Sequence, residues 1–196
     1  GLIALWGGIN GLNISRHWGG FKSVIGKAII MLSIGLLFQE FGQIIFTAYY
    51  FFLKVEIPYP SLADLGFFGS IPFYIFGILF LAKAAGSQFK LRKIHGKLQA
   101  FLLPSLMLII SYFAFLQKYE FDWLNPLKIF LDFGYPLGQA IYISIALLTY
   151  TLSKNILGGI MRNKIFFFLT AFLIQYIADY NFLLQNIGGT WVNGAY

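Results

Sequence analysis

Long apolar runs separated by short polar clusters make up most of this chain, and the lengths of the runs predict its elements. A transmembrane helix needs about 20 mostly apolar residues. Five runs meet that length: Ser23–Phe52, Asp64–Ala84, Leu98–Gln117, Gly134–Leu152 and Lys164–Gln185. A start nearer Leu127 also fits the fourth. The first run, at about 30 residues, would be ~45 Å long as a helix, so it must tilt or project from a bilayer. Gly1–Asn13 is apolar but too short to span, and it lacks the basic start of a signal peptide. It is read as the tail of a helix whose beginning is missing. The expected fold class is all-α: a polytopic transmembrane helical bundle of five full helices plus one truncated N-terminal helix. It forms one domain over residues 1–196.

The basic residues alternate between connections. Eleven of the fourteen Lys and Arg lie on one side: Arg16, Lys22 and Lys27; Lys83, Lys90, Arg92, Lys93 and Lys97; Lys154, Arg162 and Lys164. The other side holds Lys54, Lys118 and Lys128, together with the acids Glu56, Asp64, Glu120, Asp122 and Asp132. The positive-inside rule then places the basic loops in the cytoplasm of an inner membrane, with Tyr196 outside it. Anything cytoplasmic encoded further on would need one more helix.

Composition agrees with lipid as the solvent. Hydrophobic residues make up 59% and charged residues 11%, against roughly 25% charged in a soluble domain. The net charge of +7 would suit nucleic acid, but its sorting by loop argues for topology, so no nucleic-acid partner is expected. The absence of cysteine excludes disulfides, thiolate metal sites and a cysteine nucleophile. His17 and His95 both lie among basic residues between the apolar runs, and no His/Glu metal spacing occurs. No metal, cofactor or enzymatic activity is expected.

Ionisable residues at mid-membrane depth are costly and are functional candidates. Two are placed there: Glu40 in the first long run and Asp179 in the last. Glu40, Gln43 and Thr47 share one helix face, as do Gln175, Asp179 and Asn186, and Gln139 lies near the outer end of the fourth run. Turned onto each other, these faces would form a polar core in the outer half of the bundle. Hydrogen-bonding between helices is one reading of it, and a ligand or proton site is the other. The candidate binding set is Glu40, Gln43, Asp64, Asp132, Gln139 and Asp179. The segment from Glu56 to Asp64 carries Pro58 and Pro60, and Ser61 with Asp64 has capping-box spacing. The basic loop from Lys83 to Lys97 sets topology or meets anionic lipid. Trp6, Trp18, Trp123 and Trp191 fall near the expected membrane borders.

Three stretches carry a resemblance. Pro58-Tyr59-Pro60-Ser61-Leu62-Ala63-Asp64, with Phe67-Phe68 and Ile71-Pro72, resembles a motif of multi-helix N-terminal membrane sensor regions of bacterial diguanylate cyclases, phosphodiesterases and histidine kinases. Asp132-Phe133-Gly134-Tyr135-Pro136-Leu137-Gly138-Gln139 is similar to a later motif of that family, with Gln139 where an acid is usual. Ile177-Ala178-Asp179-Tyr180, followed by Gly188-Gly189-Thr190-Trp191 and Gly194, is similar to its last helix and outer loop. The resemblance implies six to eight helices, a sensory role, and a cytoplasmic output domain in cis after a further helix.

The leading expectation is an integral membrane sensor or receptor module whose partners are the lipid bilayer, a small-molecule ligand and that output domain. The alternatives are a small secondary transporter or proton-coupled carrier, and a non-catalytic subunit of a membrane assembly. An enzyme acting on lipid, with two acids as general acid and base, ranks last.

Overall fold

Two glycines and a serine make the first turn of the bundle. Gly19 (φ +84°) and Gly20 (φ +52°) adopt the left-handed conformation that side chains disfavour. Ser23 then caps the next helix, its Oγ accepting from the Gly26 amide at 2.8 Å. In this computed structural model the described residues are 2–54, 57–85, 94–113, 119, 121–153 and 159–187. They form six α-helices: α1 Leu2–His17, α2 Val24–Thr47, α3 Ala63–Ala84, α4 Ile94–Ser111, α5 Pro126–Ser153 and α6 Gly159–Ile187. A π-helical turn, Ala48–Leu53, prolongs α2. No strand occurs among the described residues, and the all-α bundle is as expected.

Glycine sets how closely the first three helices approach. On α1, Gly8 faces Leu37 and Gly11 faces Ser33, so α1 and α2 run antiparallel. On α2 and α3, Gly42 meets Gly66, Gly35 meets Tyr74 and Gly77 meets Leu32, again antiparallel. A Cβ on Gly66 would lie 2.3 Å from the Gly42 nitrogen and 2.6 Å from the Phe38 carbonyl. Only backbone fits there, which is the close contact that small residues permit between membrane helices. Ser70 on α3 adds a hydrogen bond to Gln39 Oε1 at 3.2 Å.

Helix α3 packs in parallel on α5, with Phe68 against Gly134 and Ile71 against Gly138. Helices α4 and α6 both contact α5. The core lies where α3, α5 and α6 meet. Tyr74, Tyr142 and Phe172 form a ring cluster with centroids 4.8–5.8 Å apart, and Ile78, Ile143 and Ala146 are buried beside it.

Among the described residues, three helices are long and apolar enough to cross a membrane: Val24–Leu53, Ala63–Ala84 and Pro126–Thr151. Five were expected. In the other two candidates the described apolar stretches are Phe101–Ile110 and Phe166–Asp179. Large apolar side chains such as Phe52, Phe101 and Phe167 point outward from the bundle, as lipid-facing residues do.

Several boundaries differ: α4 begins at Ile94 instead of Leu98, and α6 runs from Gly159 to Ile187 instead of from Lys164 to Gln185. Helix α5 begins at Pro126, within one residue of the alternative start at Leu127, so Pro136 lies inside it. Helix α1 runs on to His17, four residues past the expected Asn13. The basic loop between Lys83 and Lys97 lies largely outside the described residues, as do Lys154, Gly188-Gly189, Thr190, Trp191 and Gly194.

Candidate functional site

Asp64 stands in the first turn of α3 and Asp132 in the second turn of α5, and the start of α3 packs beside that part of α5. Each acid holds tyrosines from other elements. Asp132 Oδ1 accepts from the Tyr59 hydroxyl at 2.6 Å, and its Oδ2 accepts from the Tyr119 hydroxyl at 2.7 Å. Both oxygens of Asp132 thus act as acceptors. Asp64 Oδ1 accepts from the Tyr135 hydroxyl of α5 at 2.8 Å. Its Oδ2 reaches back to the Ser61 amide at 2.7 Å and the Ser61 hydroxyl at 3.2 Å. That is the acid's half of the expected capping box. The serine's half differs: Ser61 Oγ accepts from the Ala63 amide at 3.2 Å, one residue short of the usual position.

This acid–tyrosine cluster ties the segment before α3, the segment before α5, and both helices into one unit. Burial first, then the bond to Asp132, pushes the Tyr59 hydroxyl well above its ordinary pKa. The same causes, in the same order, raise Tyr119. An acid accepting these bonds disfavours a second negative charge on the phenol. Aromatic edges close the cluster. Tyr119 packs on Phe121 and Phe133, and Phe68 packs on Tyr135 and Phe130.

A second polar group lies deeper, between α5 and α6. Asp179 accepts from Gln139 Nε2 on one oxygen and from Gln175 Nε2, at 2.7 Å, on the other. Gln139 is buried. Tyr135, Tyr74 and Tyr142 all lie within electrostatic reach of Asp179. Tyr135 therefore stands between the outer acids and the deeper one.

Glu40 and Gln43 belong elsewhere. Glu40 is buried in α2, and its Oε2 has no hydrogen-bond partner. With Gln43 and Thr47 it lines an open groove of about 360 Å³, walled by Leu2, Ile44, Ala48 and Phe52. All of these residues come from α1, α2 and the π-helical turn. The single polar core expected from the helix faces is thus divided. Asp64, Asp132, Gln139 and Asp179 follow the α3–α5–α6 seam, and Glu40 and Gln43 face a groove beside α1. The side chain of Asn186 lies outside the described ones.

The tyrosine partners were not foreseen. Tyr59 and Tyr135 entered the sequence reading only as aromatics in motifs, and Tyr119 not at all. The available signal was chemical: a tyrosine at a phenylalanine-rich border has a hydroxyl that seeks a partner when buried. Among the described residues, no three of His, Asp or Glu gather as a metal-ligand set.

Fold and site together define a helical bundle of membrane type, carrying a half-buried acid–tyrosine–amide seam. No family model matches the chain, and no curated protein or solved structure matches it either.

Proposed function

We propose that this chain is a membrane sensor module, without catalysis of its own, in which the acid–tyrosine cluster is the responsive element. The observation that carries the reading is that Asp132 and Asp64 hold three tyrosines from different parts of the chain. A ligand or proton that competes for these carboxylates would free the segment before α3 and loosen α3 from α5 together. A two-packing equilibrium of that kind is what a sensor needs. The alternation of basic connections supports a topology with the cluster outside the cytoplasm, in an inner membrane. The resemblance of Pro58–Asp64 and Asp132–Gln139 to bacterial sensor regions adds an output domain in cis after a further helix.

Spin labels at Leu62 and Leu127, both exposed, would measure the distance between the two segments in the reconstituted protein. The reading expects one population in the wild type and a second, longer one in Asp132→Asn. A single unchanged distance in both overturns it.

A proton-coupled carrier is the second reading, favoured by the carboxylate of Asp179 buried between α5 and α6. Proton flux in proteoliposomes that is lost in Asp179→Asn would establish it over the sensor.

A further inference from the structure

One flank of the α2–α3 pair takes no part in the acid–tyrosine cluster and ends in two lysines. Lys27 lies in the first turn of α2 and Lys83 in the last turn of α3. The antiparallel register that sets Gly35 on Tyr74 and Gly77 on Leu32 brings these two turns level. Lys27 Nζ stands 5.9 Å from the centre of the Phe80 ring, within cation–π range. Phe80 and Lys83 are neighbours one turn apart on α3, so Lys83 emerges beside the ring that Lys27 covers. Two like charges brought to one place repel unless an anion lies between them. These helices offer no carboxylate for that role. No Asp or Glu occurs before Glu40 or from Leu65 to Tyr119. Glu40 lies ~20 Å further along α2, and Asp64 lies ~28 Å back along α3.

Away from the lysines the flank is aromatic. Phe73, Phe76 and Phe80 precede Lys83 at helical spacing on one face of α3. Phe38 shares a face of α2 with Lys27 and packs on Phe73, the ring centroids 4.9 Å apart. Phe76 is 54% exposed and Phe38 37%, and Lys83 is exposed as well. From Phe80 to Phe73 the stripe runs ~10 Å along the helix axis, and Phe38 widens it. The flank is therefore an apolar track with two cations at one end.

We infer that this flank binds one anionic phospholipid, taken from the leaflet that meets the basic connections. The phosphate lies between Lys27 and Lys83 and accepts charge-assisted hydrogen bonds from both ammonium groups. One acyl chain follows Phe80, Phe76 and Phe73 toward the middle of the bilayer. By the positive-inside rule that leaflet is the cytoplasmic one, which is rich in anionic lipid. A zwitterionic lipid would use the track, but it brings its own cation and leaves the two lysines without a net counter-charge. A free phosphate would meet the lysines but leave the track without a role.

The test uses the purified, delipidated full chain in a neutral detergent, with thermal unfolding as the readout. The probes are dioleoylphosphatidylglycerol, dioleoylphosphatidylcholine and sodium phosphate. Phosphatidylglycerol is expected to raise the melting temperature saturably, while the other two at the same concentrations do not. Lys27→Gln combined with Lys83→Gln is expected to weaken that response by roughly tenfold in apparent affinity. Lys54→Gln, at an exposed position at the other end of α2, should leave it unchanged. Lys83→Gln alone serves if the double variant fails to fold, because Lys83 is exposed. A phosphatidylglycerol response that is absent, or unchanged in the lysine variants that fold, overturns the inference. So does an equal response to phosphatidylcholine or to phosphate, or an equal loss in Lys54→Gln. None of these outcomes bears on the sensor reading, which rests on Asp64 and Asp132.

Discussion

Asp132 is the residue on which the outer cluster depends, because it accepts from Tyr59 and Tyr119 at once. Hydrogen bonds to a charged group contribute about 1.5–3 kcal/mol each. Replacing Asp132 by Ala strands two tyrosine hydroxyls, so a loss of at least ~2 kcal/mol is expected in detergent-solubilised protein. Tyr59→Phe should cost less, and the two changes together should cost less than their sum. A thermal-denaturation double-mutant cycle measures that coupling, expected at about 1 kcal/mol or more. Additive losses would mean that the two side chains meet without stabilising each other. Much of this was legible beforehand: Asp64, Asp132, Gln139 and Asp179 were all candidates, and all four lie on one seam. Their tyrosine partners were not legible. Tyr59 and Asp132 are 73 residues apart, and only the packing of α3 on α5 brings them together.

Between elements, the contact most sensitive to change is Gly42 against Gly66. The space for a Cβ at Gly66 is already taken by the backbone of α2, and backbone cannot move aside as a flexible side chain can. Gly66→Val is therefore expected to push α3 off α2 and lower the melting temperature sharply, or abolish folding. The equivalent change at Gly7, where the nearest atom is the tip of Leu36 at 3.6 Å, should be mild. Circular dichroism melts of the two variants make the comparison, and equal effects would show that the α2–α3 approach is looser than drawn. Helix number and approximate span were readable from apolar run length. The start of α5 at Pro126 fits the longer of the two expected runs, but choosing between them was harder, because proline is as compatible with a first turn as with a kink supported by neighbours.

For the molecule as a whole, topology is the testable quantity. The chain has no cysteine, so single cysteines report without background. Leu124 and Phe21 are both exposed and lie on connections of opposite basic character. Cysteines placed at these two positions are expected to react with a membrane-impermeant maleimide from opposite sides of the membrane, with Leu124→Cys labelled from outside intact cells. Labelling of both from the same side would break the alternation and remove the basis for the cluster's outward position.

Hydropathy along the chain was sufficient for an all-α bundle, because in lipid each helix satisfies its backbone within a local run of residues. Charge sorting was sufficient for an expected topology, because it too is a property of short segments. Which polar residues meet was settled only by tertiary structure. Helical periodicity puts Glu40 with Gln43, and Gln175 with Asp179, but it does not say which face turns toward which neighbour. The glycine contacts lock α2 between α1 and α3, which leaves Glu40 on a groove. The parallel packing of α3 on α5 gathers Asp64, Asp132 and their tyrosines into a separate seam.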